Sequence, residues 1–229
     1  MNRCLLDVLP AEIFHIIFNY FWAHEIFTIF SDVSPYLNAV LVSYSSYQVN
    51  FRSILKPHFD HICRVLRPDQ ILSLILSDSY GTPHQSELFL SHYRADSFTR
   101  LRSLTLDKIE TKSLVIILRQ IQKLNRHVRL SLHNCDINPL VSIEISSQLQ
   151  SLKIGSSNSK KSRVPLSVFN TKSSTLPTDD FEHICENASQ LQSLHVRCDD
   201  TIAIIRSLLK LPQLTRLVLE ITGKHGWTM

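Results

Sequence analysis

A short pattern, apolar-x-x-Leu-x-apolar, recurs along the chain and constrains its fold more than any other feature. Five full copies lie at 71–76 (ILSLIL), 101–106 (LRSLTL), 149–154 (LQSLKI), 191–196 (LQSLHV) and 214–219 (LTRLVL). A sixth copy keeps Leu130 and Leu132 but has His127 in its first position. Apolar residues that alternate with other residues over a short run predict a β-strand with one buried face. We therefore expect each copy to form a strand.

The spacing between copies leaves room for a helix after most strands. The steps between the central leucines (Leu74, Leu104, Leu130, Leu152, Leu194, Leu217) are 30, 26, 22, 42 and 23 residues. The step of 42 residues has room for a degenerate copy at Leu166 and Val168. Helices are predicted between the strands at 84–93, 111–124, 179–191 and 200–211.

A strand, a turn and a helix that return every 20 to 29 residues or so are the signature of leucine-rich repeats. Such a unit hides its leucines only when the next unit stacks on it, so the strands align in a parallel sheet. We therefore expect an α/β fold in which residues 57–229 form a short curved solenoid. The identical segment SQLQSL, which occurs at 147–152 and again at 189–194, favours this interpretation. The alternative is an ordinary α/β domain with leucine-rich strands.

The N-terminal residues have a different sequence pattern, which predicts closely spaced short helices and no strand before about residue 56. The first helix, LPAEIFHIIFNYF, enters at Pro10, and its apolar positions cover an arc of about 200° at about 100° per residue. One core requires a stripe only a little over about 100° wide. Two further helices are expected at about 25–32 and 36–44. The first helix thus has enough apolar surface for two partners.

This N-terminal segment resembles the F-box pattern, Leu-Pro-x-Glu-Ile/Leu-x-x-x-Ile-Phe-x-Tyr-Leu followed by Asp-Leu and Val-Ser. In the first part of the pattern only Phe21 departs, because it replaces the usual leucine. Glu25-Ile26 takes the Asp-Leu position, Val33-Ser34 comes one residue late, and Leu37 stands near the usual tryptophan. The direct matches are Leu9, Pro10, Glu12, Ile13, Ile17, Phe18 and Tyr20.

The resemblance implies a helical module over residues 1–56 that docks on the Skp-type adaptor of a cullin ubiquitin ligase. The chain would then be a non-catalytic subunit whose repeats recruit an unknown protein substrate. Two alternatives stay open: a three-helix cap that covers the end of the solenoid, and a leucine-rich scaffold with no link to ubiquitin. The residues that the resemblance assigns to adaptor binding are Leu9, Pro10, Glu12, Ile13, Ile17, Phe18, Tyr20, Ile26, Val33 and Leu37.

The substrate surface is expected on the open face of the sheet. Side chains alternate across a strand, so residues next to the buried leucines should point away from the core. Hydroxyl and basic groups dominate these positions, which suits an acidic or phosphorylated peptide. The alternative is that they are ordinary solvated strand residues. The expected substrate-binding residues are Thr105, Asp107, Arg129, Ser131, His133, Lys153, His195, Arg197 and Arg216.

Enzymatic and cofactor signatures are missing from the sequence. Its four glycines are too dispersed for a nucleotide-binding loop, and neither Gly-x-Ser-x-Gly nor His-Glu-x-x-His occurs. A hydrolase assembled from dispersed residues is the third and least favoured class. HFDHIC at 58–63 is interpreted as a solvated linker, and His183, Cys185, His195 and Cys198 as structural residues, not as metal ligands. We expect no catalytic residue, cofactor or metal.

Partners and compartment follow from charge and cysteine use. The net charge of +4 is mild and scattered, and no apolar run is long enough for a membrane span, so neither nucleic acid nor membrane is an expected partner. Five unpaired cysteines and no signal peptide indicate the cytoplasm, the nucleus or both. The basic segment at 158–163 is interpreted as a solvated insertion. Because only eight residues follow Ile221, we expect an exposed C-terminal sheet edge or a shortened chain.

Overall fold

The computed structural model describes residues 5–124, 128–135, 149–155, 191–198, 211 and 213–221. Within them the α-helices are α1 (Ala11–Phe18), α2 (Ala23–Phe30), α3 (Pro35–Ser43), α4 (Lys56–Val65), α5 (Gln85–His92) and α6 (Thr111–Ile121). The strands are β1 (Tyr47–Asn50), β2 (Ile71–Ser77), β3 (Ser103–Asp107), β4 (Val128–His133), β5 (Leu149–Gly155), β6 (Ser193–Cys198) and β7 (Arg216–Ile221).

The seven strands form one parallel sheet in chain order, so the expected α/β class is confirmed. The chain divides into two compact units, residues 1–104 and residues 105–229. The predicted boundary at residue 56 stays a prediction. In the part of the chain that the structure describes, no helix is both long enough and apolar enough to cross a membrane.

The three N-terminal helices begin where their local chemistry favours a helix start. Pro10 precedes α1 with φ at −59°, and Pro35 occupies the first turn of α3, where a missing N–H costs nothing. The hydroxyl of Ser34 accepts the N–H of Leu37 at 3.1 Å, which caps α3. These helices match the predicted ones.

A cluster of aromatic rings fills the space between these helices. The ring centroid of Phe18 lies 5.2 Å from that of Phe30 and 5.3 Å from that of Tyr44, and Tyr44 lies 4.8 Å from Tyr47. Edge-to-face and tilted rings at such distances stabilise a core beyond the area they bury. The buried phenols have partners: Tyr47 donates to the Leu41 carbonyl at 2.7 Å. The N-terminal helices therefore share a well-packed core.

Strand β1 corrects the expectation that the first 56 residues contain no strand. Tyr47 and Val49 are buried while Gln48 and Asn50 are half-buried, and Val49 pairs with Leu74 of β2. The alternation covers only four residues, which is too short a run to separate it from the loop around it. Strand β1 thus joins the N-terminal residues to the first leucine-pattern strand.

Helix α4 corrects a second expectation, that residues 58–63 form a solvated linker. The segment is helical, and Phe59 and Ile62 are buried on one side of it. His58 and His61 are exposed. Phe59 and Ile62 are three residues apart, the spacing of neighbours on one helix face. The segment therefore belongs to the packed fold.

The central leucines form a ladder through the sheet. All six lie on strands, and Leu130, Leu152, Leu194 and Leu217 are paired in succession across β4 to β7. The five central leucines from Leu74 to Leu194 are each at most 2% exposed, whereas the sixth, Leu217, is 40% exposed. Helices α5 and α6 confirm two predicted helices. The predicted helices at 179–191 and 200–211 lie outside the described residues, except for Leu191 and Leu211. The degenerate copy at 166–168 also lies outside them.

Strands β3 and β4 are followed by the same turn. Lys108 and Asn134, each four residues after its central leucine, have left-handed φ angles of 56° and 53°. The N–H of Lys108 donates to the His133 carbonyl at 2.8 Å, and the Asn134 side-chain amide donates to the Asp107 carboxylate at 2.9 Å. Left-handed conformations are uncommon for residues other than glycine. A left-handed residue thus recurs at one register position after two successive strands.

Candidate functional site

Helix α1 is apolar on two opposite sides. Phe14 and Phe18 point into the aromatic core and are each 1% exposed. On the opposite side, Ile13 is 40% exposed and Ile16 is 55% exposed, with Glu12 beside them. In a helix of one folded domain the side away from the core is normally polar. The isoleucines therefore form an outward apolar surface that the fold of this unit does not cover.

The segment before α1 adds further apolar side chains to this surface. Leu5–Val8 is a short 3₁₀ helix in which Leu5 is 89% exposed and Val8 is 80% exposed. Two hydrogen bonds fasten the segment: Ser34 donates to the Asp7 carboxylate at 2.6 Å, and Tyr36 donates to the Leu9 carbonyl at 2.8 Å. We define the apolar helical surface as Leu5, Leu6, Val8, Leu9, Ile13, Ile16 and Tyr20.

The residues that the F-box resemblance assigned to adaptor binding separate into two groups. Three of them, Phe18, Ile26 and Leu37, are at most 1% exposed, so they support the surface from beneath and do not lie on it. Ile17 is half-buried. The exposed members are Leu9, Pro10, Glu12, Ile13, Tyr20 and Val33. Ile16, Leu5 and Val8 were not assigned, although the wide apolar arc of the first helix already included Ile16.

The predicted substrate residues lie mainly on the polar face of the sheet. Arg129 and Arg216 are exposed. The half-buried members are Thr105, Ser131, His133, Lys153 and His195. The side chain of Arg197 lies outside the described residues.

Asp107 is the exception and corrects the prediction. It is 4% exposed, and its carboxylate accepts the hydrogen bond from Asn134. The regular alternation ends here because β3 stops at Asp107 and the chain turns at Lys108, so Leu106 and Asp107 are both buried. Asp107 therefore stabilises the turns that follow β3 and β4 and does not lie on the solvent-facing surface.

Strand register places four basic residues together in the second unit. Ser131, Lys153, His195 and Val218 form one row across β4 to β7, and Arg129, Ser151, Ser193 and Arg216 form the row two residues earlier. Neighbouring strands lie about 4.8 Å apart, and residues i and i+2 of one strand about 7 Å apart. We define the basic sheet face as Arg129, Lys153, His195 and Arg216.

Shifted ionisation occurs away from both surfaces. Burial raises the pKa of the Cys63 thiol to about 12 and that of the Cys135 thiol to about 11. A nucleophilic cysteine requires the opposite shift, because the thiolate is the reactive form. These two thiols therefore stay protonated at neutral pH and act as small packing groups.

Comparison with known proteins adds no assignment. No protein-family model matches the sequence, and no curated protein matches it significantly. The function is therefore argued from the two surfaces of the chain itself.

Proposed function

We propose that this chain is a non-catalytic, substrate-recruiting subunit of a Skp–cullin–F-box ubiquitin ligase. In this proposal the N-terminal helices form an F-box-like module, and the apolar helical surface docks on a Skp-type adaptor that bridges to a cullin. The leucine-pattern strands form a short leucine-rich-repeat solenoid whose polar face holds a protein substrate.

The observation that carries the proposal is the exposed apolar side of α1. Leu5, Val8 and Ile16 are each more than half exposed. The segment of Leu5 and Val8 is nevertheless held by two hydrogen bonds, from Ser34 to the Asp7 carboxylate and from Tyr36 to the Leu9 carbonyl, and Ile16 is held in α1. Large apolar patches on soluble proteins mark interaction sites. A rigid apolar surface loses little conformational entropy on binding, which favours a stable docking contact.

The leucine ladder supports the substrate-binding half of the proposal. Leu130, Leu152 and Leu194 are buried, and the positions next to the ladder leucines on β4 to β7 carry mainly hydroxyl and basic groups at strand-determined spacing. Side chains on strands are held more precisely than side chains on loops. Such a face can present hydrogen-bond donors to a partner without rearrangement.

The test is capture of a purified Skp-type adaptor by the full chain, measured by biolayer interferometry. The variant Ile13→Asp/Ile16→Asp places two charges on the apolar helical surface. We expect its affinity to fall by at least about thirtyfold, since central apolar anchors often contribute about 2 kcal/mol or more each. The matched control is Val42→Asp/Leu88→Asp, because these side chains are 70% and 40% exposed on α3 and α5.

The full chain is preferable to residues 1–56 for this test. Strand β1 pairs with β2, and the Gln70 side chain donates to the carbonyls of Val42 and Tyr44, both at 2.9 Å. A fragment ending at residue 56 would lose these partners. If the folded full chain does not bind the adaptor, or if both double variants bind equally well, the proposal is wrong and a scaffold without a ubiquitin link is favoured.

A further inference from the structure

We infer that the basic sheet face binds a phosphoserine or phosphothreonine group in the protein that the chain recruits. This inference rests on the proposed function, because it takes the polar side of the sheet as the substrate surface and names the chemistry of the substrate. The experiment that tests it measures phosphopeptide binding to the sheet, which is independent of adaptor binding.

The register of the strands places small residues on the sheet between basic residues. Positions 151 and 193 are serines on neighbouring strands, flanked in the same row by Arg129 and Arg216. Three strand steps of about 4.8 Å separate the two arginines by about 14 Å. Lys153 and His195 stand side by side in the next row. Small residues between long cationic ones leave room for an anionic group.

Three of the basic residues on this face lack an ionic partner among the described residues. Arg129, Lys153 and Arg216 form no ion pair within the part of the chain that the structure describes. By contrast, Lys56 and Arg94 in the first unit pair with Asp60 and Asp96 at 2.9 and 2.7 Å. A basic group without a nearby carboxylate retains its attraction for an external anion.

Asp107, an acid that alternation placed on the solvent-facing side of β3, does not lie on that side. Asp107 is buried, and its carboxylate accepts the hydrogen bond of Asn134. An exposed carboxylate among Arg129, Lys153 and Arg216 would repel an anionic ligand by like-charge interaction. The burial of Asp107 therefore removes one negative charge from the open side of the sheet, while Glu220 follows Val218 by two residues on β7.

Phosphate fits the face better than a carboxylate does. A phosphorylated side chain carries about −1.5 to −2 charges and three acceptor oxygens, so it can engage several donors at once. The guanidinium groups of Arg129 and Arg216 can each form a bidentate pair of hydrogen bonds with a phosphate group. Ser131 and Ser193, both half-buried in the same rows, offer hydroxyl donors.

A peptide fits the face better than a single-stranded nucleic acid does. Proteins that bind single strands stack the bases on aromatic rings. Among the described residues of the two rows there is no phenylalanine, tyrosine or tryptophan. Arg129, Lys153 and Arg216 can neutralise one or two phosphate groups, whereas nucleic-acid sites commonly make about six to ten phosphate contacts.

The experiment measures binding of three fluorescent probes to the full chain by anisotropy. The first is a pool of peptides with one fixed phosphoserine between degenerate positions, the second is the same pool with serine, and the third is a random single-stranded RNA. The test variant is Arg129→Glu/Lys153→Glu. The control variant is Lys112→Glu/Lys123→Glu, which has the same net charge and changes two exposed lysines on and just after α6.

We expect the phosphopeptide pool to bind at least about tenfold more tightly than the serine pool, and the test variant to lose this preference while the control keeps it. Arg129→Lys keeps the charge but loses the bidentate pair of hydrogen bonds, so it should weaken binding partially without changing the thermal midpoint. Equal binding of both peptide pools, tighter binding of RNA, or an equal loss in the control would overturn the inference. Adaptor capture by the same variants is measured separately, so either proposal can fail alone.

Discussion

The N-terminal helices and the leucine-pattern sheet both have nearly fully buried apolar side chains, but they present opposite chemistry to solvent. Phe14 and Phe18 on α1 and Leu130 and Leu152 in the ladder are all about 1% exposed. On the other side of α1 stands Ile16, 55% exposed. On the other side of β4 stand polar residues such as Arg129. The same hydrophobic packing thus supports an apolar outer surface in one region and a polar one in the other.

Under the proposed function, this difference would correspond to two kinds of partner. An apolar helix surface recognises its partner by shape and area, since the hydrophobic effect is non-directional. A polar sheet face recognises a partner by the placement of donors and charges, which gives specificity more than affinity. A constant partner for the helices and a chemically selected partner for the sheet agree with the proposed subunit role.

The largest expected difference in unfolding free energy is between substitutions on the two sides of α1. Replacing Phe18 by alanine is expected to lower the free energy of unfolding by about 3–5 kcal/mol, because it empties the centre of the aromatic cluster. Ile16→Ala should change it by no more than about 0.5 kcal/mol, as for other surface substitutions. Urea unfolding followed by circular dichroism measures both. A cost for Ile16→Ala near that of Phe18→Ala would mean that the outer surface of α1 is part of the core.

A smaller contrast is expected within the leucine ladder. Leu130 is 1% exposed and Leu217, three strands along the same ladder, is 40% exposed. Leu130→Ala should therefore cost about 2–5 kcal/mol of unfolding free energy, and Leu217→Ala about 1 kcal/mol. The same urea titration compares the two variants. An equal cost at the two positions would show that Leu217 is covered in solution, contrary to its exposure here.

The strands were predictable because their signal repeats. No single copy of the leucine pattern is decisive, but six copies with similar spacing place Leu74 and Leu194 in equivalent positions. Stacked repeats require that equivalence. Strand β1 was missed for the same reason, since Tyr47 and Val49 occur in a single four-residue run with no second copy for comparison.

The candidate surfaces were predictable only in part, because sequence patterns do not state which side of a residue is covered. The F-box resemblance marked Ile13 and Ile26 alike, yet Ile13 is 40% exposed and Ile26 is fully buried. Strict alternation placed Asp107 on the solvent-facing side, but alternation ends where a strand ends. Packing against neighbours that are distant in sequence decides such cases, and a local pattern does not record it.

The smallest effect concerns pH and compares a thiol buried in each region. Burial raises the pKa of Cys135 to about 11 and that of Cys63 to about 12. An unfolded thiol ionises near pH 8.5 or so, so above that pH the unfolded chain releases a proton that the folded chain retains. The stabilisation is complete below about pH 8.5 and is lost as the pH rises toward these folded-state values.

We therefore expect the unfolding free energy of the wild type to fall between about pH 9 and pH 10.5, with each such thiol contributing up to about 1.4 kcal/mol per pH unit. Cys135→Ala should show a shallower slope, and Cys63→Ala should show a similar change. The buried phenols of Tyr44 and Tyr47, whose pKa values burial also raises, are common to all three proteins and cancel in the comparison. The pKa of Tyr93 is raised by burial and also by Cys63, so this phenol cancels only between the wild type and Cys135→Ala. Urea unfolding at several pH values in this window measures the slopes. If the wild type and Cys135→Ala lose stability in parallel, the Cys135 thiol ionises as readily in the folded chain as in the unfolded one, and the second unit is less tightly packed around that position than the first unit is around Cys63.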